Sequence, residues 1–249
     1  MGMLDGQVAI VTAAAGVGIG QATARRFADE GAEVVITDAH ERRASSAAEQ
    51  MKVDYGREFI AMTVDVASRD DVDKMVQSTM DRYGKIDILV NNAARNMLSP
   101  VVEMTDENWH TVLNVALHGT FYCTRAVLPH MLERQSGKIV NVASVAGWGG
   151  AADQAHYAAA KGGVMAFTRA VAAEVARKGV RVNAVAPSFS PNPFLERIYS
   201  PQQLKAMAEG ATMGRGAEPR EVANVILFLV SDLSSYLTGE VISCSNQHA

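Results

Sequence analysis

"VTAAAGVGIG", Val11 to Gly20, joins the apolar run Gln7-Val8-Ala9-Ile10 to the Ala-rich segment "IGQATARRFADEG". An apolar run, a small-residue turn and a helical stretch, in that order, make a strand-turn-helix unit whose helix N-terminus can cradle a phosphate. The glycines at 16, 18 and 20 do not form G-x-G-x-x-G, because Gln21 stands where the third should be. Holding an alanine in the left-handed conformation costs about 1 to 2 kcal/mol, so the turn is expected to use Gly16 as its permissive residue. It then reads as a lengthened ligand loop, with Gly18-Ile19-Gly20 leaving the helix start open to a pyrophosphate.

The same alternation continues along the chain. Further strands are expected near 33–38, 58–65, 86–91, 137–143, 180–186 and 240–244, with 7–12 as the first. Between them lie segments of helical length such as "AHYAAAKGGVMAFTRAVAAEVARKG", which closes on Arg177-Lys178-Gly179, a cation-then-glycine helix stop. Apolar strands alternating with helices imply right-handed crossovers and a parallel sheet covered on both faces. The expected fold is therefore α/β, a Rossmann-type doubly wound sheet of about seven strands in a single domain spanning 1–249. The long unpatterned stretch at about 188–214, with three prolines and the aromatics Phe189, Phe194 and Tyr199, suits a lid over a site.

Composition excludes several classes. With 249 residues, 48% of them hydrophobic, the chain can bury a large core. A formal charge of -4 offers no footprint for nucleic acid or an anionic membrane. No run approaches a membrane span or a signal peptide, and the two cysteines, Cys123 and Cys244, lack metal or disulfide spacing. A cytoplasmic protein without a metal, acting on a small molecule, is the expectation.

In such sheets ligands bind beyond the carboxyl ends of the strands. The second strand ends at Asp38, whose carboxylate can accept hydrogen bonds from an adenosine ribose and would repel a 2'-phosphate, pointing to NAD rather than NADP. His40, Arg42 and Arg43 follow closely and read as a solvated helix start, or as groups that reach a phosphate if the loop folds back. The third strand runs into Asp65-Val66, the fourth into Asn91-Asn92-Ala93-Ala94 and the fifth into Ser144. Tyr157 lies 13 residues beyond Ser144, and Lys161 four residues further, on the same helix face.

These residues give the chain its resemblance to the short-chain dehydrogenase/reductase family, which runs over nearly the whole length. The resemblance implies a nicotinamide cofactor and hydride transfer at a carbinol or carbonyl carbon. It implies that Tyr157 is the general acid/base, that Lys161 lowers its pKa and binds the nicotinamide ribose, that Ser144 holds the substrate oxygen, and that Asn114 holds a relay water. A free tyrosine has a pKa near 10, so a useful base needs it lowered by about 3 to 4 kcal/mol; one ammonium about 4 to 5 Å away supplies that at an effective dielectric near 20. Thr12, Gly16, Gly18, Ile19, Asp65, Val66, Asn91, Ala93, Pro187 and Asn192 complete the implied cofactor set.

Departures are equally visible. Aligned on Gly18 and Gly20, Ala13 and Ala14 stand where the family has Thr-Gly, "NNAA" replaces "NNAG", Ser188 follows Pro187 where Gly is usual, and Asn192 replaces the Thr that bonds the carboxamide. The C-terminus lacks the usual Asp-Gly-Gly, which touches the expected homo-oligomer, a dimer or homotetramer. Wall residues Arg95, Asn96, Met97, Val145, Trp148, Gln154, Phe189 and Phe194 suit a bulky apolar alcohol with an acid or thioester handle, Arg95 serving as an anion clamp. The turn and the "GEVIS" ending resemble a branch that degrades steroid-ring acids and their thioesters; the general pattern equally resembles NADP-dependent 3-oxoacyl-thioester reductases. A non-catalytic dinucleotide-binding regulator is the alternative from another class, disfavoured by the joint presence of Tyr157 and Lys161.

Overall fold

A computed structural model describes residues 2–244. Among them seven parallel strands form one sheet: β1 Val8–Val11, β2 Glu33–Asp38, β3 Ile60–Thr63, β4 Ile88–Asn91, β5 Gly137–Val142, β6 Val180–Pro187 and β7 Val241–Cys244. Their order is β3-β2-β1-β4-β5-β6-β7, so the winding reverses between β1 and β4. That reversal opens a crevice at the carboxyl ends of both strands. The expected strands are all present, shorter by one or two residues at several ends.

Covered on both faces, the central strands are mostly apolar. In β1, Ala9 and Val11 face a layer containing Phe27 and Leu227, while Ile10 faces Met75, Val127 and Met131 on the other side. The first layer comprises α1 Ile19–Asp29, α2 Glu41–Tyr55 and a helix near the C-terminus; the second contains α3 Arg69–Tyr83. Local sequence sets several boundaries. The Ser68 hydroxyl accepts the Asp71 N–H at 3.3 Å to cap α3, and Gly56 and Gly84 end α2 and α3 at φ 66° and 68°.

After β4 come α4 Asp106–Leu113, a π turn at Asn114–His118 and α5 Gly119–Glu133. A single turn, α6 Ala146–Gly149, precedes α7 Ala155–Val175, against which the π turn packs. Asp153 sits just outside α7 at φ 60°. Beyond β6 a short 3-10 turn, Leu195–Arg197, leads to α8 Pro201–Gly210, capped by a Ser200/Gln203 box; α9 Pro219–Val230 then packs on α1. Among the described residues no helix is long and apolar enough to cross a membrane.

The turn after β1 corrects one expectation. Gly16 is not its left-handed residue; Ala13 is, at φ 50°. The Asn92 amide donates to the carbonyls of Thr12 and Ala13 at 3.0 and 3.2 Å, and the Ala14 N–H donates to the Thr37 carbonyl at 2.8 Å. Three hydrogen bonds thus hold a backbone that alanine disfavours, and the Ala14 methyl is fully buried in the core. Gly20 is required for another reason: a Cβ there would overlap the Asn92 amide and the Ala13 carbonyl.

Candidate active site

Two adjoining cavities occupy the crevice and share Ala94 and Asn96. The first, a cleft of about 780 Å³, is bordered by Asp38, Arg43, Asp65, Val66, Ala93, Arg95 and Met97. The second, a chamber of about 600 Å³, is bordered by Ile19, Ser144, Gln154, Tyr157, Lys161, Pro187, Phe189 and Asn192. The stretch expected to be a lid faces both: Phe194 and Arg197 border the cleft, and Leu195, Tyr199 and Met207 border the chamber.

In the cleft, Asp38 ends β2 almost wholly buried. Its Oδ1 accepts the His40 N–H at 2.9 Å and Arg43 Nε and Nη2 at 3.1 and 2.6 Å. All three bonds fall on one oxygen, so Oδ2 keeps its lone pairs for a ligand. Arg43, read from the sequence as one of several solvated cations, folds back onto this carboxylate. Asp65 accepts the Ala67 N–H at 2.9 Å in a local turn that fixes its place on the rim.

The glycine turn leaves room for a diphosphate. A Cβ at Gly16 or Gly18 would meet nothing within 4 Å, and α1 starts at Gly18 with neither a capping side chain nor an acid in its first turn. Its first N–H groups are therefore free for an anion.

In the chamber, Ser144 stands just past β5, while Tyr157 and Lys161 lie one turn apart at the start of α7. Lys161 is fully enclosed; its Nζ donates to the Val142 carbonyl at 2.5 Å and lies 5.7 Å from the centre of the Tyr157 ring. Burial pushes the Lys161 ammonium down to about 8. Burial also pushes the Tyr157 phenol up to about 12; a hydrogen bond with the Ser144 hydroxyl opposes the rise, and the nearby Tyr199 phenol adds to it. His156, neutral because burial lowers its pKa, accepts the Tyr157 N–H on Nδ1 at 2.9 Å and so anchors the first turn of α7.

Several residues singled out from the sequence lie elsewhere. Thr12 borders neither cavity: its hydroxyl accepts the N–H groups of Asn92 and Ala93 at 2.9 and 3.0 Å, locking the ends of β1 and β4 together from behind. The Asn91 side chain points away from the cleft and donates to Thr124 Oγ1 and Asn141 Oδ1 at 3.1 and 2.8 Å, because alternation along β4 turns it inward and its neighbour Asn92 toward the turn. Trp148 does not wall the chamber; it packs against the cluster of Ala143, Val164 and Met165. Asn114 begins the π turn packed on α7, half-buried, and its side chain bonds no described residue.

Asn192 borders the chamber, but its amide is already engaged, donating to the Ser190 carbonyl at 3.1 Å and accepting the Phe194 N–H at 3.0 Å. The buried Ser190 hydroxyl on the chamber wall has no partner instead. Ser190, Tyr199, Arg197 and Met207 were not legible as site residues; only the length and aromatic content of their segment marked it.

The chain is similar to several known proteins. A family model described as enoyl-(acyl carrier protein) reductase matches residues 13–246. A Mycobacterium tuberculosis protein, (5R,7aS)-5-hydroxy-7a-methyl-1-oxo-2,3,5,6,7,7a-hexahydro-1H-indene-carboxyl-CoA reductase, is 52% identical over 99% of this chain and 95% of its own length. A 3-oxoacyl-(acyl-carrier-protein) reductase of Thermotoga maritima is 41% identical over 96% of each chain. Among solved structures, a short chain dehydrogenase from Mycobacterium smegmatis superposes with a TM-score of 0.86 at 47% identity, covering 100% of this chain and 95% of that one. An NAD+-bound xylitol dehydrogenase gives 0.92 at 31% identity, covering 98% and 99%. Likeness of this extent, over a reversed-order parallel sheet whose crevice holds Ser144, Tyr157 and Lys161, has one consequence: the chain belongs to the short-chain dehydrogenase/reductase family of oxidoreductases.

Proposed function

We propose that the protein interconverts a ketone and a secondary alcohol on a bulky apolar substrate carried as a coenzyme A or similar thioester, using NAD(H). The observation that carries this reading is the convergence of Ser144, Tyr157 and Lys161 on one chamber that adjoins the Asp38 cleft. The relatives named for an indene-carboxyl-CoA and for a 3-oxoacyl-(acyl-carrier-protein) both act on acyl carriers, which supports the thioester handle.

The cleft fits a dinucleotide: Asp38 Oδ2 would take the adenosine ribose, Asp65 and Val66 the adenine edge, and the open α1 N-terminus the diphosphate. Ser190 rather than Asn192 would hold the carboxamide, because only its hydroxyl lacks a partner. When bound, a nicotinamide supplies the two-electron chemistry, accepting a hydride from the carbinol carbon or returning it to the carbonyl.

The protein's own groups handle the proton. A substrate oxygen between the Ser144 and Tyr157 hydroxyls is oriented by Ser144 and receives the Tyr157 proton as its carbonyl is reduced; oxidation runs the same transfer backwards. With the phenol pushed up to about 12 and the Lys161 ammonium down to about 8, the neutral-pH state is a protonated tyrosine beside a charged lysine, a proton donor poised for reduction. Asn114 would hold a water that refills this proton from solvent. The stretch 188–214 acts as a lid that excludes bulk water, and Arg95 with Arg197 offers cations at the rim to an anionic handle. Self-association into a dimer or tetramer belongs to the same reading, and sedimentation velocity tests it.

A second reading, an NADP-dependent 3-oxoacyl-thioester reductase, is favoured by one observation: Arg43 borders the cleft beside Asp38. The deciding experiment is a turnover screen of NADH and NADPH against fused-ring ketones and 3-oxoacyl thioesters. No turnover of any ketone with either cofactor overturns both readings.

A further inference from the structure

Besides Ser144, Tyr157 and Lys161, the chamber wall carries a second polar group, Asn96, Gln154 and Tyr199, contributed by the loop after β4, the residue before α7 and the turn before α8. Asn96 Nδ2 donates to Gln154 Oε1 at 2.6 Å, and Asn96 Oδ1 accepts the Met97 N–H at 2.9 Å. Burial raises the Tyr199 pKa, and the neighbouring Gln154 and Asn96 amides oppose the rise. With Gln154 Oε1 engaged by Asn96, the Gln154 amide has only N–H groups left to offer the phenol, and a phenol that accepts there keeps its own proton to donate. The Tyr199 backbone is held as well, its N–H donating to the Leu195 carbonyl at 2.9 Å. The wall also carries the apolar side chains of Val145, Phe189, Leu195 and Met207.

A chamber made only to seat a hydrocarbon around one reacting carbonyl has no use for three ordered polar side chains at a second place, since each loses water when the substrate enters. We propose that Tyr199, positioned by Gln154 and Asn96, is a specificity-determining residue that donates a hydrogen bond to a second oxygen of the substrate, a carbonyl or hydroxyl on the same skeleton as the reacting ketone. This rests on the ketone-reductase reading above and deepens it, naming the substrate class as a compact apolar skeleton with oxygens at two positions. A site built to bond an oxygen rejects the analogue lacking it, because its polar groups are then left unpaired.

The test compares a fused-ring diketone with the monoketone of the same skeleton, using full-length wild type, Tyr199→Phe and Gln154→Leu. Wild type is expected to prefer the diketone at least tenfold in kcat/KM. Tyr199→Phe is expected to lower kcat/KM at least tenfold more for the diketone than for the monoketone, mostly through KM, with NADH fluorescence titration confirming an intact cofactor site. Gln154→Leu is expected to shift the preference in the same direction. Equal losses on both ketones would mean that Tyr199 only latches the lid, and no wild-type preference would mean that the second place does not read oxygen; either result overturns the proposal. If wild type reduces neither ketone, the reductase reading fails separately, and calorimetric binding of the two ketones to wild type and Tyr199→Phe decides the proposal by the same tenfold difference.

Discussion

Arg43 places Nε and Nη2 on one carboxylate oxygen of Asp38, at 3.1 and 2.6 Å, and leaves the other oxygen open toward the cleft. The arginine is half-exposed while the carboxylate is buried, so the pair acts as an anchored acid carrying a movable cation. On the function proposed above, Asp38 accepts from ribose hydroxyls and repels a 2'-phosphate. Asp38→Ala removes the repulsion and frees Arg43 at the same point. The ratio of Kd for NADPH to Kd for NADH is expected to fall on the order of 100-fold, about 2.7 kcal/mol, in fluorescence titration. An unchanged ratio would show that the adenosine ribose does not bind beside Asp38.

On the proposed mechanism, Tyr157 and Lys161 set the pH dependence. At neutral pH the phenol holds its proton and the ammonium its charge, since burial puts the first up at about 12 and the second down at about 8. Ketone reduction is therefore expected to stay flat through neutrality and to fall as pH rises through about 8, where Lys161 loses its charge. Alcohol oxidation is expected to rise over the same range, because its proton must leave. Tyr157→Phe should lower kcat at least ~100-fold with NADH binding retained. Reduction that rises with pH would invert the assignment.

Ser190→Ala has effects of opposite sign on stability and on binding. The hydroxyl it removes is buried without a partner, so the free protein is expected to gain about 1 kcal/mol in denaturant unfolding. NADH should bind about 2- to 10-fold more weakly, the loss of one hydrogen bond. Asn192→Ala instead opens a local turn and should reduce stability. Weaker NADH binding in that variant alone would return the carboxamide contact to Asn192.

Ala13 is strained, and glycine relieves it. An interior Ala→Gly change ordinarily costs about 0.5 to 1 kcal/mol, but at φ 50° the left-handed penalty of about 1 to 2 kcal/mol is removed as well. Ala13→Gly is therefore expected to be neutral or stabilising by up to about 1 kcal/mol in thermal unfolding. Gly20→Ala, whose Cβ would meet the Asn92 amide and the Ala13 carbonyl, should destabilise the protein and weaken NADH binding together.

Most of the scaffold is legible from local pattern. Strands covered on both faces must be short apolar runs, and helices between them show their own stops, as Gly56, Gly84 and Gly179 do. Ser144, Tyr157 and Lys161 are legible because a strand end and one helical turn fix their relation within a short segment. Legibility stops where a side chain has two possible directions. Asn91 and Asn92 look alike as letters, yet the strand's alternation sends one into the core and the other onto the glycine turn. Trp148 suits a pocket wall by type, but α6 turns it onto Ala143 and Met165.

The sequence by itself determined the layered parallel sheet, the position of the crevice and the grouping of Ser144, Tyr157 and Lys161 beside it, because hydrophobic period and short-range spacing act along the chain. Only the tertiary structure decided that Arg43 folds back onto Asp38, that Ala13 rather than Gly16 takes the left-handed turn, and that Ser190 and Tyr199 face the chamber. The Ala13 turn and the Tyr199 group depend on hydrogen bonds between segments far apart in sequence, Asn92 with Ala13 and Asn96 with Gln154. Such partners are chosen by packing and by the need to satisfy polar groups taken out of water, which no local pattern encodes.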